Sequence, residues 1–331
     1  MSISGDHQMK LFRLFKTLAA IIGICVAFTG TACAQTFPNR PVKLVVPFPA
    51  GTGTDLTARL MAQYFQSALG QVFVVDNKPG AGGSIGAMEV VRAAPDGYTL
   101  LFASNSAAAS NVALLKSIPY DPAKDLSLIA GIGEGALVLM VRSDHPARTL
   151  DEFIDFARQR PSKLNGGYGS SSSQISIAML NKLAGIDTLL VPYKGIPLAI
   201  TDLIGGSIDF TFVDTNNALA QAKGGKLRAL AVTSPKRSSV TPDWPALSEK
   251  VPGYGVTAWF AVLGPAKLPA EIVDKLNMAI NQILGQAEVR SKLAAAGIEP
   301  LVLERLKLAG FIPDEVAKWV RLAKDANIQP E

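Results

Sequence analysis

The sequence predicts an α/β fold of two lobes, and three observations lead there. Short apolar runs of strand length alternate with stretches of helical periodicity. The alternation runs twice, with crossings between the two series near residues 137 and 257. The composition suits such a fold: of 331 residues, 48% are apolar and 18% charged. That excludes a disordered chain and leaves length for a large buried core.

The first 34 residues stand apart. Lys10, Arg13 and Lys16 make a basic start, and Leu18 to Phe28 is an apolar run of signal-peptide length. Ala32-Cys33-Ala34 then supplies small residues for a signal peptidase. The run is short for a membrane span. We read residues 1–34 as a cleaved export signal, with the mature chain starting at Gln35. A lipid-modified Cys33 is the competing reading, which Gly30 and Thr31 fit poorly. Met9, directly before the basic stretch, is an alternative start. Cleavage removes Cys25, Cys33 and His7, and leaves His145 as the one histidine. The mature chain then has no disulfide, no thiol nucleophile and no Cys/His metal site. It keeps 29 basic against 26 acidic residues, or +3. A mild, scattered charge on an exported chain argues against a nucleic-acid partner.

In the first series, Lys43 to Phe48 is strand-like. Leu56, Leu60, Met61, Tyr64 and Phe65 then fall on one helical face. Val72 to Val75 reads as a strand, Ser84 to Ala93 as a helix and Tyr98 to Ala103 as a strand. Alternation of this kind implies parallel strands covered by helices. The second series opens with the apolar run Leu137 to Val141. "TLDE" (residues 149–152) is a capping box for a helix through Arg160, which Pro161 ends. Tyr168 sits near a strand end, and "SSSSQ" (residues 170–174) opens a helix through Leu183. "TLLVPY", "IDFTFV" and "LRALAVTS" are strands, and residues 235–253 are loop. Ala258 to Leu263 is a last strand. Helical patterns follow at Ala270 to Leu284, Val289 to Ala296 and Pro313 to Ala326. The chain thus divides into lobe 1, residues 35–137 with 257–331, and lobe 2, residues 138–256.

Enzyme templates fit poorly. "PGAGGSIG" (residues 79–86) follows a strand, but its glycines do not make GxGxxG and no ribose-binding acid ends the next strand. GxxxxGK[ST], HExxH and GxSxG are missing. His145 lies before a proline in a polar turn and reads as a surface loop residue. Serines 170–173 with Lys194 could be arranged as a Ser/Lys pair, though serines at a helix start are ordinary caps. We therefore expect no catalytic residue, cofactor or metal.

Anion binding is better supported. Strand-to-helix turns lie at the carboxyl edge of a parallel sheet, where helix N-termini present free N–H groups and partial positive charge. Three such turns are rich in glycine and hydroxyl residues: "PFPAGTGTD" (residues 47–55), "ASNSAAAS" (residues 103–110) and "GSSSSQ" (residues 169–174). Candidate ligand contacts are Phe48, Ala50, Gly51, Thr52, Gly53, Thr54 and Asp55 in the first. The others supply Ser104, Ser106, Ser171, Ser172 and Ser173.

The run of motifs "FPNRPVKLVVPFPAGTGTD", "VDNKPGAGGSIGA", "APDGYTLL", "IPYDPAKDL", "VPYKG", "DLIGGSIDFTFVD", "GKLRALAVTS" and "PGYGVTAWF" resembles the Bug family, in order and over nearly all of the mature chain. These are the periplasmic solute-binding proteins of tripartite tricarboxylate transporters. The resemblance implies a type II periplasmic binding protein fold, with two α/β lobes, two hinge strands and a cleft that closes on its ligand. It implies a periplasmic location and a small organic acid ligand held by backbone amides and hydroxyls. It also implies partner membrane subunits of the transporter. The alternative is a ligand-dependent partner of a membrane sensor. Matching motifs add Lys194, Gly195 and Asp214 to the candidate site. The sequence departs from the family pattern at Thr52, where glycine is expected, and at Ala108 and Gln174, where histidine is frequent. Ile196 and Pro197 replace small residues after "YKG", which suggests a ligand with an apolar portion.

Overall fold

In the computed structural model, which describes residues 37–330, the first apolar run becomes β1 (Val42–Val46). Among the described residues, those from Arg40 onward form one unit. The expected signal segment, residues 1–34, lies outside the described residues. β1 pairs in parallel with β2 (Phe73–Asn77) and β3 (Thr99–Ser104). Between them run α1 (Gly53–Leu69) and α2 (Ser84–Val91). α1 is stopped by Gly70 in the left-handed region, φ 71°. Its Met61 and Phe65 are buried, and Phe65 meets Phe73 edge-on at 5.2 Å. Each such side chain stabilises the fold by about 1.5–3 kcal/mol through burial. Leu56 and Leu60, expected on the same face, stay out of the core: Leu56 is 36% exposed and Leu60 half-buried.

The longest strand is β4 (Leu126–Arg142). Sequence reading finds only its second half, because the first half, "LSLIAGIGEGA", is interrupted by glycines. Gly131, Gly133 and Gly135 alternate along the strand and so share a face. A Cβ on them would come within 2.4 Å of the Leu301 oxygen, 2.4 Å of an Ile298 methyl and 2.7 Å of the Gly297 oxygen. The glycines let the chain around Ile298–Pro300 lie directly on β4.

The second lobe is built from α3 (Leu150–Arg158), β5 (Asn165–Tyr168), α4 (Ser171–Ala184), β6 (Leu189–Pro192), α5 (Ile196–Gly205), β7 (Phe210–Asp214), α6 (Thr215–Lys223) and β8 (Leu227–Val232). β5 is parallel to β6 and β7. Thr149 caps α3 by accepting the Glu152 N–H, as the capping box predicts. β9 (Thr257–Pro265) returns between β3 and β4, antiparallel to both. α7 (Ala270–Gly285), α8 (Ala287–Ala295), β10 (Ile298–Pro300) and α9 (Leu308–Asp325) complete the chain. The order is β2-β1-β3-β9-β4-β7-β5-β6, with β8 and β10 also on β4. β4 pairs with β9 and β10 up to Ala136, and with β7 and β8 from Leu137 onward. Among the described residues, no helix is long and apolar enough to cross a membrane.

His145 differs from expectation. It is 8% exposed, with its ring edge-on to Phe156 at 4.9 Å. Its Nδ1 accepts the Ala147 N–H at 3.1 Å, and its Nε2 is buried without a partner. Burial pushes the imidazole pKa down, and Arg142 and Arg228 act in the same direction against Asp209. The unfolded chain therefore takes up this proton at a higher pH than the folded one. The resulting stability is present above about pH 6.5, the ordinary histidine value, and is lost as pH falls below it. Urea unfolding between pH 7.5 and 5 should show a drop in midpoint that is smaller in His145→Gln. An equal drop in both proteins would remove His145 as the cause.

Candidate functional site

Four helices begin at one small cavity. Its lobe 1 wall is Phe48, Thr52, Gly53, Thr54 and Ser104. Its lobe 2 wall is Gly169, Ser170, Ser172, Ile196 and Asp214. Leu137, Ala258 and Phe260, from the two strands that run between the lobes, complete the lining. The volume is about 50 Å3. Among the described residues, no arginine, lysine or histidine lines it. An anion there would meet N–H groups, hydroxyls and the positive ends of α1, α4, α5 and α6.

The lobe 1 wall owes its shape to two side chains. Thr52 is the N-cap of α1: its Oγ1 accepts the Asp55 N–H at 3.3 Å and donates to the Pro49 oxygen at 2.9 Å. Asp55 is 2% exposed and sits behind the loop, away from the cavity. Its carboxylate accepts the Gly51 N–H at 3.0 Å, the Arg59 Nε–H at 3.1 Å and the Asn77 amide at 2.9 Å. Burial raises its pKa, but these hydrogen bonds and the Arg59 charge outweigh burial and hold the carboxyl below its ordinary range. Gly51 itself is left-handed, φ 83°.

In lobe 2, Ser170 and Ser173 form a reciprocal capping box at α4. The Ser173 hydroxyl accepts the Gly169 and Ser170 N–H groups, both at 3.1 Å, so it serves the turn and not the cavity. Gly169 touches the chain at Gly195 and Ile196 so closely that a Cβ would lie 2.4 Å from either backbone. Asp214 is the N-cap of α6, accepting the Asn217 N–H at 3.0 Å and its amide at 2.8 Å. It also faces the first residue of α1. A Cβ on Gly53 would lie 2.8 Å from the Asp214 carboxyl carbon. Burial pushes the Asp214 pKa up, against the hydrogen bonds from Asn217 and the Gly53 N–H.

The lobes also join directly beside the cavity. Ser171 Oγ donates to Ser106 Oγ at 2.6 Å and lies 2.6 Å from Ser110 Oγ. Asn105 donates to Ser172 Oγ at 3.2 Å. Across the opposite wall, the Asn217 amide reaches the Gly51 oxygen at 3.2 Å. Ser106 and Ser171 are thus inter-lobe contacts outside the cavity lining.

Of the residues singled out from sequence, Phe48, Thr52, Gly53, Thr54, Ser104, Ser172 and Asp214 line the cavity. Ala50, Gly51, Asp55, Ser106, Ser171, Ser173, Lys194 and Gly195 do not. Lys194 is exposed, and Gly195 packs near Pro49. Gly169 and Ser170 belong to a turn already marked by its serines, and Ile196 to a marked departure. Leu137, Ala258 and Phe260 carry no local signal, because only the tertiary path of β4 and β9 brings them here. Among the described residues, no cluster of three or more His, Cys, Asp or Glu could hold a metal ion.

Residues 57–328 match the family described as tripartite tricarboxylate transporter family receptor. The chain is 35% identical to BugT of Bordetella pertussis over 317 residues, covering 94% of this chain and 97% of that protein. The solved structure of R. palustris Rpa4515 with adipate is similar, with a TM-score of 0.86 at 33% identity, over 89% of this chain and 100% of that one. MatC (Rpa3494) from Rhodopseudomonas palustris with bound malate has a TM-score of 0.79 at 33% identity, over 86% and 99%.

Replacing Asp55 by Ala leaves the Gly51 N–H without its acceptor, the Asn77 amide with the Phe48 oxygen alone, and Arg59 without its ion pair. Asp55→Ala should destabilise the protein by about 3 kcal/mol, read from denaturant unfolding. A loss under about 1 kcal/mol would show that the loop keeps its shape by other means.

Proposed function

The chain belongs to the tripartite tricarboxylate transporter receptor family, and from that premise we propose that it captures a small organic carboxylate between its lobes. Lobe 1 is residues 35–137 with 257–331, and lobe 2 is residues 138–256. They hinge where β4 changes partners at Ala136/Leu137 and where β9 begins at Thr257. The observation that carries the reading is the convergence of four helix N-termini and the Thr52, Thr54, Ser104, Ser170 and Ser172 side chains on one cavity. Walls from both lobes make binding and closure the same event. A ligand that touches both walls stabilises the closed form by its differential affinity for it. Adipate in Rpa4515 and malate in MatC support a carboxylate here. The mature protein works in the periplasm and delivers its ligand to the membrane subunits of a transporter.

No covalent step is required. The Thr54 backbone N–H and the hydroxyls of Thr54 and Ser104 stabilise the carboxylate by hydrogen bonds to a charged acceptor. Such bonds contribute about 1.5–3 kcal/mol each. Asp214 modulates this. A bound anion beside it favours its protonated form further, so the complex holds more protons than the free protein.

Thermal unfolding of the mature protein against a carboxylate panel tests the reading. A ligand at 100 times its Kd should raise Tm by about 5 °C. No shift with any acid up to millimolar concentration would refute it. Thr54→Trp, which fills the cavity, should cost about a hundredfold or more in affinity while the free protein stays folded. Unchanged affinity would place the site elsewhere. Affinity for a plain carboxylate should rise as pH falls from neutral and Asp214 takes up its proton above the ordinary carboxylate range. Asp214→Asn, which keeps the helix cap, should flatten that dependence. An affinity that rises with pH would instead mean that Asp214 receives a proton donor from the ligand.

A further inference from the structure

A second space lies on the other side of the Gly53–Asp214 contact. It is a groove of about 390 Å3 between α1, α8 and the start of α6. It shares Gly53, Leu137, Asp214, Ala258 and Phe260 with the cavity. Beyond these its walls carry the apolar side chains of Leu56, Leu60, Ala136, Ala295, Ala296 and Ile298, with Thr57, Thr215, Asn216 and Lys292 as the polar ones. Leu56 and Leu60 are the residues of α1's apolar face that the core does not take up. Lys292, the one lysine of the groove among the described residues, is already engaged. Its Nζ lies 2.9 Å from a Glu288 oxygen and stands over the Tyr64 ring at 5.4 Å.

We propose that cavity and groove are two parts of one ligand site, and that its substrate class is a monocarboxylate with an extended uncharged tail. The inference rests on the carboxylate reading of the cavity. The cavity's 50 Å3 holds roughly three to five water-sized spheres, enough for a carboxylate and its neighbouring carbons. A longer ligand has to leave it. The floor shared by both spaces, Leu137, Ala258 and Phe260, is the path. The tail crosses the seam where Gly53 meets Asp214, and this seam lies between lobes, so it widens when they part slightly. A residue larger than Gly53 would close this seam, since its Cβ would lie 2.8 Å from the Asp214 carboxyl carbon. The groove then offers hydrocarbon to hydrocarbon. A second carboxylate at the far end would be stripped of water among leucine and alanine side chains, with Lys292 held by Glu288.

Calorimetric titration of the mature protein with straight-chain alkanoates from acetate to decanoate, and with the matched α,ω-dicarboxylates, tests this. Kd should fall about threefold per methylene once the chain outgrows the cavity. Each monocarboxylate should bind at least about tenfold tighter than the dicarboxylate of equal length. Leu60→Gln, checked for folding by its Tm, should flatten the gain with length. Carboxylate binding with no gain along the series would overturn the proposal and leave the carboxylate reading standing. So would tighter binding of the dicarboxylates. No binding by any acid would overturn both. A steep series unchanged in Leu60→Gln would put the tail outside this groove and overturn the proposal.

Discussion

The hydrogen-bond ladder of β4 organises the molecule. One continuous strand serves β9 and β10 along its first half and β7 and β8 along its second. The change of partners occurs at a single peptide, Ala136–Leu137. Everything functional is placed by that change. The carboxyl ends of β1 and β3 point α1 and the Ser104 turn at the junction from one side. Those of β5 and β7 point α4 and α6 at it from the other. Leu137 sits in the cavity lining because it is the first residue of the second ladder. Two lobes facing each other across helix N-termini follow from one strand that cannot be cut without losing both sheets.

Much of this was readable in the sequence. Helix starts were legible where a side chain both caps and sits next to an apolar period, as at Thr149 and Ser170. Thr52 was read as a departure from a family glycine. In the fold it is the residue that caps α1, and the hydroxyl explains why a β-branched side chain is tolerated there. The first half of β4 was not legible, since Gly131, Gly133 and Gly135 look like turn residues in a linear reading. Their reason is three-dimensional: the Gly297–Leu301 chain lies against them. Leu56 and Leu60 misled in the opposite sense. Their spacing with Met61 and Phe65 signals one buried face, but a helix at a cleft has two apolar surfaces to cover. Periodicity cannot distinguish a core from a groove.

The same limit applies to the site. Hydroxyl-rich turns lead to the expectation of an anion cleft, and seven of the fifteen residues drawn from them and from the matching motifs line the small cavity. Asp55 and Ser173 illustrate the others. Each is spent on the backbone of its own turn, so that the N–H groups of Gly51, Gly169 and Ser170 are accounted for and the turn is rigid. A sequence motif cannot tell a residue that touches a ligand from one that holds the loop that does. His145 makes the point for a buried group. A polar turn hid an imidazole wedged against phenylalanines.

The contact of Ser106, Ser110 and Asn105 with Ser171 and Ser172 has a consequence for how the cleft moves. All five side chains are short, and four of the six contact atoms on which they meet are hydroxyls, each able to donate or accept. Water can replace any of these partners with the same geometry and almost the same energy. Parting the lobes at this contact therefore exchanges protein hydroxyls for solvent ones step by step. The seam behaves as a bearing and not as a lock, and the balance between open and shut is left to whatever molecule fills the cavity.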